Sequence, residues 1–355
     1  MGVNVAVWRR VRRTGIILIV GLSALAVIPA ATAQTMPVPV VFDTDMDYDD
    51  AAALAYLSQE HKRGRIDLRA VTVTNNGAGL PGLAIRNARC LLQRFGLGHI
   101  PVADGSPDAP HVTPPELRLT VQLILTTVLL GCFEGTQPGP VSAAQLLVDS
   151  VRNAPSDVVL IATGPLSNVA GALRLDLAAL ADRVAATYLM GGAVHVPGNL
   201  CCTTTLGFDN SQELNMWIDP AAAQETFRSL PEYSVSMIPL DATRFVPATT
   251  SFAERLRSDQ QTPEAQVVAA IANHPLVTLG ALLAPVHWWD PLAAMAATRP
   301  GVVTYQNEPI VVVQDSAQSG RTAPSPEGRG LHVGVFADRT RFEQTFIDAL
   351  NGRAS

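Results

Sequence analysis

The chain has 355 residues, 48% of them hydrophobic and 16% charged, so it can bury a large core and shows no compositional sign of disorder. This length suits a single large α/β unit. The formal net charge is −6, and such an acidic chain is a poor binder of nucleic acid or anionic membranes and suits a neutral or cationic small ligand.

The first 33 residues are typical of a secretory signal peptide. Arginines cluster at positions 9–13, an apolar run covers 16–28, and a small-x-small cleavage site occupies 31–33. The apolar run is short for a membrane span, which needs about 20 residues. We therefore predict an exported protein, periplasmic or secreted, with one domain at 34–355 and no stable membrane anchor. Its export route, Sec or twin-arginine, stays open.

Strands and helices alternate along the rest of the chain. Valine-rich apolar runs predict strands at 38–42, 66–73, 158–162, 184–190 and 233–238. Helices are predicted at 49–59, 80–95 and 167–180, and a strand followed by an amphipathic helix at 331–350. Residues 104–115 and 315–330 are expected to be loops. This alternation predicts an open, mostly parallel, Rossmann-like α/β sheet with helices on both faces.

Polar clusters follow several of the predicted strands. DTDMDYDD comes at 43–50, TNNG at 74–77, TGPLSN at 163–168 and GGAVHVPGN at 191–199. In open α/β sheets, ligands bind outside the carboxyl ends of the strands. These clusters are therefore the candidate site.

Five aspartates within eight residues repel one another unless a cation neutralises them, and hard carboxylate oxygens select Ca²⁺ or Mg²⁺. The EF-hand loop is excluded, because Tyr48 stands where that loop needs glycine and Leu54 where it needs glutamate. An aspartyl-phosphate phosphatase also begins with a strand ending in D-x-D. That class expects a later lysine, whereas the only lysine of this chain is Lys62.

An ordered set of motifs resembles the calcium-dependent, inosine-uridine preferring nucleoside hydrolases. The set comprises Asp43-x-Asp45-x-x-x-Asp49-Asp50-Ala51, Thr72–Asn76, Ala162–Asn168, Met190–Gly192, Glu213-Leu214-Asn215 with Asp219-Pro220, Pro239–Thr243 and Asp290–Ala293. Met46 and Asp47 replace the proline and glycine of the family's first motif. The resemblance implies hydrolysis of the N-glycosidic bond of ribonucleosides.

The resemblance also implies roles for particular residues. Asp45, Asp50, Asp290 and a backbone carbonyl near Thr163 would bind Ca²⁺, and Asp45 would act as general base on a Ca²⁺-bound water. The substrate would be held by Asp49, Asn76, Met190, Asn199, Glu213 and Asn215. The partner is a small-molecule ribonucleoside, and the family's habit implies a homo-oligomer, dimer or tetramer.

Trp289 directly precedes Asp290, where many members of the family have a histidine that protonates the leaving base. A tryptophan there resembles the purine-preferring branch, in which the indole stacks on the base. We therefore expect Trp289 to take part in catalysis and purines to be preferred. The alternative to an enzyme is an exported, metal-dependent nucleoside-binding protein with weak catalysis.

The four cysteines, Cys90, Cys132, Cys201 and Cys202, show no zinc-site spacing. Export to an oxidising compartment makes one disulfide plausible, and its pairing cannot be read from the spacing. A disulfide at the adjacent Cys201 and Cys202, vicinal or long-range, could rigidify that stretch.

Overall fold

A single mixed sheet organises the computed structural model, which describes residues 36–200, 208–283 and 285–354. Its order in these ranges is β3-β2-β1-β4-β5-β6-β9-β7-β8. The strands are β1 (Val38–Thr44), β2 (Ile66–Val73), β3 (Val102–Asp104), β4 (Val158–Ala162), β5 (Val184–Met190), β6 (Val235–Ile238), β7 (Val303–Val312), β8 (Thr322–Pro324) and β9 (Arg329–Ala337). The pairs from β3 to β9 in this order are parallel, and β7 runs antiparallel to both of its neighbours.

Helices flank the sheet. They are α1 (Tyr48–Lys62), α2 (Leu83–Arg94), α3 (Pro115–Val128), α4 (Ala143–Arg152), α5 (Ser167–Leu175), α6 (Leu177–Arg183), α7 (Leu214–Ile218), α8 (Pro220–Ser229), α9 (Leu240–Thr243), α10 (Thr250–Ser258), α11 (Pro263–Ala272), α12 (Pro275–Leu283), α13 (Trp289–Thr298) and α14 (Arg339–Leu350). The prediction of a mostly parallel α/β sheet is confirmed.

The core forms two layers because neighbouring side chains of a strand point to opposite faces. In β1, Val40 and Phe42 join the cluster around α1, α2, α11, α13 and α14. Val41 joins the opposite cluster around α4, α5 and α8. Helix α1 is buried from Asp49 to Glu60, which explains why its sequence, AAALAYL, is apolar all round.

Two of the sequence predictions are wrong in detail. The helix predicted at 167–180 is divided at Asp176, whose extended backbone (φ −154°) ends α5. Its side chain accepts a hydrogen bond from Ala179 N and caps α6. The segment 315–330, expected to be a loop, contains β8 and the start of β9. The loop between β3 and α3, predicted at 104–115, is confirmed.

The sheet order places the site. The chain runs from β1 outward through β2 to β3 and then crosses to β4, which pairs with the other edge of β1. A crevice therefore opens at the carboxyl ends of β1 and β4, where the connections leave in opposite directions. This is the usual ligand position in such sheets. Residues 36–355 cluster as one compact unit. The predicted signal peptide at 1–33 lies outside the described residues.

A disulfide joins Cys90 in α2 to Cys132 beyond α3, with 5.8 Å between their Cα atoms. The expected disulfide is thus present, while Cys201 and Cys202 lie outside the described residues. Within those residues, no single helix is long and apolar enough to cross a membrane. Only α11 and part of α12 taken together, bent by 43°, reach the required length and composition.

Candidate active site

The acidic loop between β1 and α1 owes its shape to helix capping. Asp47 caps α1: its side chain accepts a hydrogen bond from Tyr48 N, and Asp47 N donates to Asp50 Oδ2 at 2.8 Å. Met46 is buried and adopts φ 59°, an uncommon conformation for a residue with a side chain. Asp47, which sequence reasoning left without a role, therefore starts the helix.

A cavity of about 420 Å³ opens beside this loop. Its wall includes most of the predicted site residues, namely Asp45, Asp49, Thr163, Met190, Asn199, Glu213, Asn215, Trp289 and Asp290. They come from the ends of β1, β4 and β5 and from α1, α7 and α13, so the fold brings distant parts of the chain together. The predicted proximity of Asp290 to Asp45 agrees with this geometry.

Two predicted residues do not line the cavity. Asp50 is fully buried, and its Oδ1 accepts a hydrogen bond from Thr163 Oγ1. Asn76 is buried in loop contacts: its Nδ2 donates to Ser167 Oγ at 2.7 Å, and its Oδ1 accepts from Thr74 Oγ1. Asn76 therefore contributes to the site by holding the loop after β2 rather than by facing the cavity.

Burial and mutual repulsion hold the acids in an unusual state. Burial first, and then the charge of Asp50, raise the pKa of Asp45 well above its ordinary value. Burial and the charges of Asp49, Asp50, Asp45 and Asp47 likewise raise the pKa of Asp290. Burial is also the main cause that raises the pKa of Asp49 and of Asp50, each to about 6. The acids thus need a proton or a cation.

The donor chemistry fits a hard divalent cation. All ion pairs of the described ranges involve other acids, so no basic side chain forms an ion pair with Asp45, Asp47, Asp49, Asp50 or Asp290. As the side chains stand, no group of three or more His, Cys, Asp or Glu in those ranges is arranged to hold a metal ion. Asp45 Oδ2 accepts a hydrogen bond from Ala78 N, and both Asp50 oxygens are also acceptors. Carboxylate oxygens have further lone pairs for a cation.

Asn215 and Glu213 present oxygen acceptors to the cavity. Asn215 Nδ2 donates to Thr163 O at 2.9 Å and to Met190 O at 3.3 Å, which orients its amide. The amide oxygen Oδ1 of Asn215 can accept a hydrogen bond from a hydroxyl. Glu213 caps α7 and accepts from the backbone N–H of Gly192 and Met216. Burial raises its pKa, and these N–H groups oppose that shift.

The adjacent residues Trp288 and Trp289 lie in different environments. Trp288 is buried and packs edge-on against Phe252, with 6.0 Å between ring centroids. Trp289, the first residue of α13, is half-buried, and lines the cavity next to Asp290. Sequence reasoning did not single out the other apolar wall residues, which are Tyr48, Ala78, Pro114, Leu117, Leu200, Leu214, Gly280, Pro285 and Val286. Tyr48 and Leu214 stand between the polar residues of the motifs at 43–50 and 213–215, and the others lie outside the motifs.

Asp43 lies near the end of β1, two residues before Asp45, and is held by hydrogen bonds. Its Oδ1 accepts hydrogen bonds from Thr72 Oγ1 at 2.6 Å and from Asn168 Nδ2 at 2.8 Å. Asp241 accepts from the backbone N–H of Val194 and His195. Through these contacts Asn168 and Asp241 bind neighbouring segments of the chain.

The fold, the acidic crevice and the ordered motifs define a class of hydrolases. The sequence model of the inosine-uridine preferring nucleoside hydrolase family matches residues 40–345. The chain belongs to this family and is an N-glycosyl hydrolase acting on ribonucleosides, in a family that depends on a metal ion.

Relatives within the family differ in the nucleosides that their names specify. The chain is 28% identical to the inosine-uridine preferring nucleoside hydrolase of Leishmania major, over 89% of this chain and 98% of that protein. It is 30% identical to the pyrimidine-specific ribonucleoside hydrolase RihA of Citrobacter koseri, over 76% of this chain and 82% of that protein.

Solved structures have the same fold. The inosine-uridine preferring nucleoside hydrolase of Bacillus anthracis superimposes with a TM-score of 0.76 at 22% identity, covering 89% of this chain and 99% of that chain. The purine-preferring ribonucleoside hydrolase of Gardnerella vaginalis does so with a TM-score of 0.69 at 25% identity, covering 88% and 98%.

Proposed function

We propose that the protein hydrolyses purine ribonucleosides to ribose and free base, with Ca²⁺ as its metal ion and Asp45 as general base. The observation that carries this proposal is one cavity, walled by Asp45, Asp49, Asn215, Trp289 and Asp290. The wall of this cavity combines acids and an amide side chain with a tryptophan. A ribonucleoside has a matching combination of sugar hydroxyls and a flat base.

The residues that would hold Ca²⁺ are Asp45, Asp50, Asp290 and the carbonyl of Thr163. All are buried oxygen ligands that form no ion pair in the described ranges, which is the ligand type that Ca²⁺ selects. The carbonyl of Thr163 already accepts from Asn215 Nδ2 and keeps a second lone pair. When bound, the ion supplies positive charge that gathers water and sugar hydroxyls and lowers the pKa of water.

Three side chains of the protein then have separate roles in the reaction. Asp45 accepts the proton of the attacking water, the function of a general base held within reach of it. Asp49 and Asn215 bind ribose hydroxyls and fix the sugar. N-glycosidic cleavage develops positive charge on the sugar ring, which the surrounding carboxylates and amide oxygens stabilise.

Trp289 supports the purine assignment. Its indole lines the cavity while it also packs against the core, whereas Trp288 is buried in the core, so Trp289 can stack on a base. A purine offers a larger face to the indole than a pyrimidine does. The name of the Citrobacter relative specifies pyrimidines, so this preference requires its own test.

The test is a comparison of kcat/KM for inosine, guanosine and uridine with Ca²⁺ and after chelation, assayed as reducing sugar. We expect purines to be preferred, chelation to abolish turnover, and Asp45→Asn to lower kcat by about 10²–10⁴-fold, the range of a general base. A marked preference for uridine would overturn the purine assignment. Tight inosine binding without sugar release would instead favour the binding-protein alternative.

A further inference from the structure

The loop that follows β2 packs directly against Asp45. Ala78 N donates a hydrogen bond to Asp45 Oδ2 at 2.7 Å. Gly79 N donates to the carbonyl of the same residue at 3.1 Å. Two successive residues of this loop therefore bind both the side chain and the backbone of Asp45. Because of the loop, Oδ2 of the carboxylate accepts a hydrogen bond.

Glycine is required in this loop because of contact, not because of backbone conformation. A Cβ added at Gly77 would lie 2.0 Å from Asp45 Oδ2, and its three nearest neighbours all belong to the Asp45 side chain. A Cβ at Gly79 would lie 2.2 Å from the Asp45 carbonyl oxygen. Neither glycine has a φ in the left-handed region, so alanine is compatible with the backbone there and clashes chiefly with Asp45.

Helix α3 holds the loop from the other side. Arg118 donates from one guanidinium nitrogen to Asn76 O at 2.7 Å and to Asn75 O at 3.3 Å. Thr113 Oγ1, just before the helix, also donates to Asn76 O, at 2.9 Å. Arg118 lies close enough to Asp45 to interact with its charge.

The same turn of α3 forms part of the cavity wall. Leu117 lines the cavity and precedes Arg118 directly, and Pro114 lines it one turn earlier. A ligand in contact with this wall therefore touches helix α3. Arg118 of the same helix binds the loop that contacts Asp45. The contacts connect the wall of the cavity to the proposed general base.

We propose that Gly77 and Arg118 are positioning residues that aim the Asp45 carboxylate: Gly77 leaves the space that Asp45 occupies, and Arg118 holds the loop that binds it. This inference rests on the proposed function for its kinetic consequence. Its structural consequence, the orientation of Asp45 towards a cation, is measurable on the protein with Ca²⁺ alone.

The experiment compares Gly77→Ala, Arg118→Gln and Arg118→Lys with two control variants, one in the loop after α3 and one in α2. Gly135→Ala adds a Cβ whose nearest neighbour is 3.9 Å away. Arg89→Gln removes a half-buried arginine that, like Arg118, donates to two loop carbonyls, those of Gly135 and Gln137. Each variant is assayed for kcat and KM with inosine, for melting temperature, and for Ca²⁺ affinity by calorimetry without substrate.

We expect Gly77→Ala to lower kcat by about 100-fold with little change in KM, the cost of misplacing a catalytic group by about 1 Å. Ca²⁺ affinity should fall with it. Arg118→Gln should show the same pattern more weakly, and Arg118→Lys should recover part of it, because a lysine can still donate to one carbonyl. The two control variants should behave as wild type.

Gly77→Ala and Arg118→Gln proteins with wild-type kcat and wild-type Ca²⁺ affinity would overturn the inference. So would losses that track the melting temperature alone, since a merely structural loop gives that result. If Gly77→Ala fails to fold, Arg118→Gln and its lysine rescue still decide. A wild-type protein without hydrolase activity would refute the proposed function, while the Ca²⁺ affinities would still test the positioning of Asp45.

Discussion

At the scale of single residues, Asp43 is the most unusual acid of the chain. It is fully buried at the end of β1, and among the described residues its Oδ2 has no hydrogen-bond partner. Burial raises its pKa to about 7, although hydrogen bonds from Thr72 and Asn168 oppose the shift. The native state therefore retains a proton on Asp43 over a pH range in which an unfolded chain has lost it.

This proton gives a prediction for Asp43→Asn. Between the ordinary pKa of 3.8 and the native value of about 7, the native state binds more protons than the unfolded state, so stability falls as pH rises. The amide does not titrate. We expect the variant to gain stability relative to wild type as pH rises from about 5 to about 8, by up to a few kcal/mol.

Thermal unfolding in the presence of a chelator measures this effect free of metal binding. Asp157→Asn, at an exposed carboxylate, is the matched control and should leave the pH dependence of stability almost unchanged. Parallel stability curves for wild type and Asp43→Asn would contradict the prediction. The expected result is a stability difference that grows as pH rises from about 5 to about 8.

The sequence predicted which residues meet at the site where the ends of strands bring them together. Aspartates after β1 were expected to meet oxygen donors after β4, because these strand ends share one edge of the sheet. The sequence did not predict how each carboxylate oxygen is oriented. Whether Asp45 accepts from Ala78 N depends on the approach of a loop that has no charged residue, and periodicity says nothing about such contacts.

At the scale of elements, the site depends on how α1 lies against α13. Helix α1 begins with Asp49 and Asp50, and α13 begins with Trp289 and Asp290. Asp290 N donates to Asp49 Oδ2 at 3.2 Å, which joins the two helix starts. Their far ends are joined by Glu60, whose two oxygens accept from Arg299 at 2.6 and 2.9 Å.

We predict that Glu60→Ala destabilises the protein by about 3–5 kcal/mol, because it leaves buried guanidinium groups without their carboxylate. The Glu60 side chain is 0% exposed and that of Arg299 is 13% exposed. Glu225→Ala is the control: its partner Arg174 is 59% exposed, and such pairs contribute about 0–1 kcal/mol. Urea unfolding measures both, and equal losses would contradict the argument.

The elements themselves were predicted unevenly, for physical reasons. Strand β4 was placed correctly because it is a continuous apolar run that is almost fully buried, and β5 because it is apolar apart from Thr187. Strand β7 was missed because its residues 304–309 are mostly polar and none of them is buried, and because it contains Pro309, as an antiparallel strand near an edge can. Helix α12 has no polar face, so periodicity gave no signal for it.

At the scale of the whole molecule, the acids of the site come from opposite parts of the chain. Asp45 and Asp50 lie near the start of the described residues, whereas Asp290 lies beyond β6 and four further helices. Mutual repulsion among these buried acids opposes the closure of the fold. A cation bound between them reverses the sign of this contribution, because it binds the folded chain and not the unfolded one.

We therefore predict that Ca²⁺ raises the melting temperature of the protein above that of the chelated form. Mass action gives about 2.7 kcal/mol of added stability at a free Ca²⁺ concentration 100-fold above its Kd. Mg²⁺ should stabilise less, since it demands a smaller octahedral site and gives up water reluctantly. Differential scanning calorimetry across a Ca²⁺ series measures the increase and gives the affinity independently of activity.

Asp290→Asn separates cation binding from general ionic effects in this measurement. The substitution keeps the size of the side chain and removes one of the repelling charges, so the chelated variant should be more stable than chelated wild type. The same change removes a proposed ligand, so the variant should gain much less from Ca²⁺. The two melting curves should therefore converge as Ca²⁺ rises, and equal gains for both proteins would show that the ion binds without Asp290.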